Sequence, residues 1–327
     1  MTNFISPLQI TGPSTYAGIG FGVPAADPAI LALRADLDAR LHAVLAPLPA
    51  PMRAEADAII DGYCGVPGEF YRLFYQPVWS FLHWLPLRAA EPIAPALLDA
   101  ARTAQALGLF LHLWDDHLCD GQLRVDQLRL QIRTDAWLAY VSACRRLCDT
   151  IAPGSTMVEE HLDTYLGAIH IKEDIADLAA FCSRFERQIA IWTLVPQLLG
   201  RACGGVEVAT ALTKLVQAFS NAWRLIDDVQ DVEADMLAGV ESAVWQCLDT
   251  AGRMAWSECH ARSREIGALE PVSWGVLFEF LRAPSCIPHL LVQIYDWLDA
   301  AALQAGQQGW PELGREIIEH RPFSVEG

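Results

Sequence analysis

The sequence predicts an all-α protein built as one domain, and three observations predict it. Apolar residues recur at spacings of three and four from about residue 27 almost to the end. The interruptions fall at Pro or Gly, which end helices. Runs of alternating β-branched residues are absent, and so are repeats, low-complexity blocks and an internal linker.

Residues 1–26 are rich in Gly, Pro, Ser and Thr and read as an irregular leader, with 27–327 as the single helical domain. Asp27 is placed to cap the first helix, with Pro28 at its first position. Further helical spacing follows over 52–64, 68–84, 94–119, 124–150, 156–170, 172–202, 206–236, 241–265, 272–282 and 287–305. Breaks are expected at Pro51, Pro67, Pro92, Gly121, Pro153, Gly204, Gly239, Pro271 and Pro311.

Composition narrows the partners. Of 327 residues, 53% are hydrophobic, ample for a large core. A net charge of −17 argues against nucleic acid or an anionic membrane surface. An anionic substrate would need local arginines or bound metal. The nine cysteines form no CxxC pair, which fits reduced thiols and a cytoplasmic protein. The opening lacks the basic region and apolar core of a signal peptide. No apolar stretch reaches the roughly 18 residues of a membrane span, and "IAIWTLV" before Pro196 is too short.

Two acidic clusters carry the chemistry. "LWDDHLCDGQ" ends an apolar run, "LGLFLHLW", with Asp115, Asp116 and Asp120. Like charges so placed repel by roughly 0.2–0.5 kcal/mol per exposed pair, and by more when buried. The second cluster, "NAWRLIDDVQDVEAD", follows "LVQAFSNAWRLI" and holds Asp227, Asp228, Asp231 and Asp235. At about 100° per residue, Asp227, Asp231 and Asp235 lie within about 80° on one helix face. Acidic residues four apart usually lie on a solvated face. Two clusters, each containing Asp-Asp and each following an apolar stretch, favour metal ligation instead. Hard carboxylate oxygens suit Mg²⁺, which keeps several waters and bridges to phosphates.

"DDHLCD" resembles the first aspartate-rich motif of the class I isoprenoid synthases. "DDVQD" resembles the second motif of the trans-prenyl diphosphate synthases, and Asp227, Asp231 and Asp235 fall where class I terpene synthases place Asn, Ser and Glu. The separation of about 110 residues is similar to the family's. The resemblance implies a helical bundle around a central cavity, with the two stripes facing across it. It also implies three Mg²⁺ ions, with Mn²⁺ as a substitute, and a prenyl diphosphate substrate. It leaves a homodimer open. Asp115, Asp116, Asp120, Asp227, Asp228, Asp231 and Asp235 are then the metal ligands.

The cations around these stripes separate a cyclase from a chain extender. A prenyl-chain-extending enzyme binds a second diphosphate with a "GGKRxRP"-like stretch. Here that region is "GEFYRLFYQPVW", which keeps Arg72 but no Lys; the chain has only Lys172 and Lys214. Aromatics take its place: Phe70, Tyr71, Phe74, Tyr75, Trp79, Phe81 and Trp84. Their faces stabilise cations by roughly 0.5–2 kcal/mol each, and Phe74 and Trp79 are the first candidates to line the substrate cavity. "FCSRFERQIAIW" places Arg184 and Arg187 where the resemblance puts the diphosphate-sensing cation, and Arg224 precedes Asp227 by three. Asp115, Asp116, Asp227 and Arg187 are the expected catalytic set, with Arg184 and Arg224 beside Arg187 on the diphosphate. The absence of a DxDD motif argues against protonation-initiated cyclisation. The expectation is a class I terpene synthase acting on a C20 substrate, with C15 and C25 as alternatives. A trans-prenyl diphosphate synthase and a noncatalytic metal- or partner-binding subunit are the rivals.

Overall fold

The computed structural model describes residues 16, 18–25, 27–119, 121–149, 151, 154–171 and 174–324. Asp120 and Lys172 lie outside the described residues. The chain is all-helical in architecture. The helices in order are α1 (Pro28–Ala43), α2 (Ala50–Cys64), α3 (Pro77–Arg88), α4 (Pro95–Cys119), α5 (Gln127–Cys148), α6 (Gly154–His170) and α7 (Leu178–Gln188). They continue with α8 (Ala190–Gln230), α9 (Val232–Ala238), α10 (Ala243–Cys247), α11 (Thr250–Ile266), α12 (Pro271–Leu281), α13 (Ile287–Gln307) and α14 (Pro311–Glu319).

Local sequence accounts for most helix starts. The Asp27 carboxylate accepts the Ala29 N–H at 2.7 Å, and Pro28 opens α1. Asp126, Asp177 and Asp249 cap α5, α7 and α11 in the same way. Pro51, Pro77, Pro271 and Pro311 sit in first turns, where the missing N–H leaves no bond unmade. Pro51, Pro271 and Pro311, expected as breaks, therefore also begin helices.

Four expected spans are divided. Residues 68–84 form a 3₁₀ turn (Phe70–Leu73) and then α3, restarted at Pro77. The 172–202 span starts at Leu178 and bends by 67° between α7 and α8. The 206–236 span ends at Gln230 and resumes as α9, and 241–265 splits into α10 and α11. Inside α8, Gly205 at φ 80° breaks the helical path, a conformation that side chains oppose. α14 had no counterpart in the spacing. A two-stranded antiparallel ribbon also forms, β1 (Ile19–Phe21) with β2 (Pro322–Ser324), so part of the leader is ordered against the C-terminal end.

α8 is the central element and packs against α3, α4, α6, α7, α10 and α13. Its buried residues include Trp192, Leu198, Leu212, Leu215, Phe219 and Leu225. α4 meets α8 closely at Gly108, where a Cβ would stand 3.0 Å from the Ile191 carbonyl oxygen. That approach brings the two acidic helix ends towards each other. Among the described residues, no single helix is long and apolar enough to cross a membrane. The bent pair α7–α8 passes only when counted together, and most of α8 is core.

Candidate active site

The first carboxylates stand on the last turn of α4. Residues 106–111, 113 and 114 are buried in the core, so the apolar run fixes the helix and aims its end. Helix C-termini carry partial negative charge, which opposes Asp115 and Asp116 there. Asp227 and Asp228 stand at the C-terminal end of α8 and meet the same opposition. Both clusters therefore need cations from elsewhere.

Asp115 already has one. It is buried, and Arg133 of α5 forks onto it, Nε to Oδ1 at 2.5 Å and Nη2 to Oδ2 at 3.0 Å. The Tyr165 hydroxyl of α6 also donates to Oδ2 at 3.3 Å. Asp116 points outward and is exposed.

The second stripe keeps its register across the end of α8. Asp231 N–H bonds to the Asp227 carbonyl at 2.9 Å, and Asp235 N–H to the Asp231 carbonyl at 2.8 Å. The i, i+4 ladder thus holds the three carboxylates stacked, although Asp231 itself leaves helical geometry. Asp228 is turned away. It is buried, takes Arg224 Nη2 at 2.8 Å and accepts the Ala243 N–H of α10 at 2.6 Å.

Electrostatics set the open carboxyls apart. Burial pushes Asp227 up to about 7; Arg224 pulls it down, while Asp228, Asp231 and Asp116 of α4 push it further up. Burial likewise raises Asp235 to about 7, with Asp228 and Asp231 adding and Arg224 opposing. Asp231 is raised by burial and by Asp228. Burial disfavours the charge on Arg224, but Asp228, Asp227, Asp235 and Asp116 more than offset that and raise its pKa. Asp116 acts electrostatically on both Asp227 and Arg224, so the α4 and α8 ends stand near one another, and the space between them is the candidate recess.

Rings pack together beside these helix ends. Trp192 stacks on Trp223 at 5.5 Å, and Tyr75 meets Trp223 edge-on at 6.1 Å. His112, one turn before Asp116, packs edge-on against Trp192 at 4.8 Å. Phe74 touches Trp192 from behind, at 6.0 Å. Trp79 is core, 1% exposed, with its indole N–H on the Phe74 carbonyl at 3.3 Å, and Trp192 is just as buried; Tyr75, His112 and Trp223 are the partly exposed rings here. Trp223 is the partly exposed ring in place of the one expected at Trp79, because α3 starts only at Pro77 and turns Trp79 inward.

The arginines also divide. Phe181 of α7 lies under the Arg224 guanidinium at 5.7 Å, so that face of α7 borders the recess. Arg184 is three residues on, about 60° around the helix. Its Nε is buried without a hydrogen-bond partner. Arg187 lies about 120° from Phe181. It bonds to Ser183 and lines a separate cleft of roughly 300 Å³ with Glu160, His161 and Thr164. Arg72 is paired with Glu69 at the surface, 3.4 Å away. The spacing of the sequence did not disclose Arg133, Tyr165, His112, Trp192 or Trp223. The only signal for Trp192 was its place in "IAIWTLV", which reads as core.

The donor set fits a hard divalent cation. Asp116, Asp227, Asp231 and Asp235 offer carboxylate oxygens and carry a negative charge that Arg224 alone does not neutralise. Among the described residues no three His, Cys, Asp or Glu side chains converge on one point. These carboxylates divide between α4 and α8–α9. A comparison with protein-family models finds none that matches the chain, and no curated protein matches it.

Proposed function

We propose that this chain is a class I terpene synthase of the α-helical isoprenoid synthase fold. It ionises a linear prenyl diphosphate, C20 in preference to C15 or C25, and cyclises the resulting carbocation. The observation that carries the reading is the pair of acidic helix ends near one another, beside the partly exposed rings of Tyr75, His112 and Trp223 with Trp192 packed behind them. Mg²⁺, or Mn²⁺ in its place, would be held by Asp116, Asp227, Asp231 and Asp235 and would supply counter-charge to the departing diphosphate.

The chain's own residues account for the rest. Arg184, with its orphaned Nε, and Arg224 at the recess edge donate to the diphosphate oxygens, where charge develops as the C–O bond breaks. A guanidinium fork suits those oxygens better than a point charge. The rings present negative faces to the carbocation and exclude water from it. Arg187, in its own cleft, takes a lesser part. A chain extender is less well supported, because Arg72 is paired with Glu69 at the surface and, among the described residues, no second cationic cradle stands beside the rings. The noncatalytic alternative leaves the raised carboxyls of Asp227 and Asp235 without a purpose. Removing Mg²⁺ with EDTA should abolish release of inorganic diphosphate. Asp116→Asn and Asp227→Asn should each slow it by at least about a hundredfold. Near-normal rates in both variants would refute the site.

A further inference from the structure

Each Asp-Asp doublet holds one locked and one open carboxylate. Asp115 is held on both oxygens by Arg133 and a third time by Tyr165, from two other helices. Trp137 braces the lock, lying 5.9 Å under the Arg133 guanidinium and 5.8 Å from the Tyr165 ring. Asp228 is held by Arg224 and by the first N–H of α10. Their neighbours Asp116, which is exposed, and Asp227 have no such lock among the described residues, and Asp116 acts electrostatically on Asp227.

We propose that Asp115 and Asp228 are positioning residues that take no metal. Arg133 and Tyr165 pin the last turn of α4 so that Asp116 alone presents its carboxylate from that doublet. This rests on the metal-binding reading of the recess. It departs from the expectation that both members of each doublet ligate. Three of the roughly four lone-pair sites of the Asp115 carboxylate are taken by Arg133 and Tyr165, and moving it onto a cation would break its fork with the half-buried Arg133. The adjacent residue, about 100° around the helix, points where Asp115 does not.

The two roles predict opposite signs for one substitution. If Asp115 were a ligand held back by Arg133, Arg133→Gln would free it and tighten cation binding. If Asp115 is a positioning residue, Arg133→Gln loosens the turn and weakens binding. Mn²⁺ uptake by the full metal-free chain, followed by electron paramagnetic resonance without substrate, reads the sign directly. We expect Arg133→Gln and Asp115→Asn each to weaken Mn²⁺ binding about tenfold, the usual scale for groups that orient a ligand. The double variant should be no weaker than either single one, because both remove the same lock. Unchanged or tighter binding in Arg133→Gln overturns the proposal. So does a double variant in which the two losses multiply.

Should Arg133→Gln fail to fold, Tyr165→Phe removes only the 3.3 Å hydroxyl bond and leaves the ion pair. Binding two- to threefold weaker, roughly, then supports the lock, and unweakened binding overturns it. If the wild-type chain takes up no Mn²⁺, the metal reading of the recess fails on its own account. Metal-free melting curves then decide the lock: strongly non-additive losses for Asp115→Asn and Arg133→Gln uphold it, and additive losses overturn it.

Discussion

Cation binding in the recess should depend steeply on pH, and the structure gives the size of the effect. The perturbation is a change from pH 8 to pH 6. Burial and neighbouring carboxylates hold Asp227 and Asp235 at about 7 in the absence of metal. Only the ionised form is a ligand, so each carboxyl must lose its proton when a cation binds. For one group at about 7, the apparent dissociation constant scales as one plus the ratio of proton concentration to acid constant. That factor is about 1.1 at pH 8 and about 11 at pH 6, so each group weakens binding about tenfold, and the two together about a hundredfold. The sign for stability runs the other way. A raised carboxyl stabilises the metal-free fold below its ordinary pKa, and that contribution is lost as pH rises through about 7. The metal-free chain should therefore gain most from Mn²⁺ at pH 8, where the unneutralised carboxylates oppose folding. Isothermal titration with Mn²⁺ at pH 6, 7 and 8 measures the slope, and Asp227→Asn should remove about half of it on a logarithmic scale. An affinity flat across that range in the wild-type chain would refute the assignment of these two carboxyls to the cation.

Three further outcomes follow from particular contacts. Glu316 is buried between α3 and α14, bonded to Ser80 Oγ at 2.5 Å and Trp84 Nε1 at 2.8 Å, and burial raises it to about 7. Its stabilising protonated form is lost as pH rises from about 4.5 through about 7, so Glu316→Gln should raise the melting temperature at pH 8 and leave it unchanged at pH 4.5; equal effects at both would contradict this. Arg184→Ala should lower kcat/KM at least about a hundredfold and Arg187→Ala less than about tenfold, and steady-state kinetics showing the reverse order would return the diphosphate role to Arg187. Trp223→Leu should redirect the product mixture while diphosphate release continues, whereas Trp79→Ala should destabilise by about 3–5 kcal/mol as a core truncation; a stable Trp79→Ala protein with altered products would reverse the two assignments.

The fold class was legible because periodic apolar spacing reports burial, and burial drives helix packing. Asp27 was legible as a cap because its carboxylate has only local work to do. The missed breaks at Ile189 and Asp231 have no Pro or Gly; they are set by packing around α8, which local spacing does not encode. The ribbon of Ile19–Phe21 with Pro322–Ser324 pairs the two ends of the chain, a contact no local pattern announces. Within the recess, the stripe of Asp227, Asp231 and Asp235 followed from helical geometry. The split between Asp115 and Asp116 did not, because Arg133 and Tyr165 reach Asp115 from 18 and 50 residues away. Trp79 was misplaced for a related reason. A ring in an aromatic-rich stretch has no sequence mark that distinguishes a cavity wall from core.

The most direct test is incubation of the purified chain with C10, C15, C20 and C25 prenyl diphosphates and Mg²⁺, with and without isopentenyl diphosphate. A single allylic diphosphate should yield a cyclic hydrocarbon or alcohol and one equivalent of inorganic diphosphate, with isopentenyl diphosphate unconsumed. Consumption of isopentenyl diphosphate into a longer linear diphosphate would contradict the cyclase reading, and release of no diphosphate from any chain length would contradict catalysis itself.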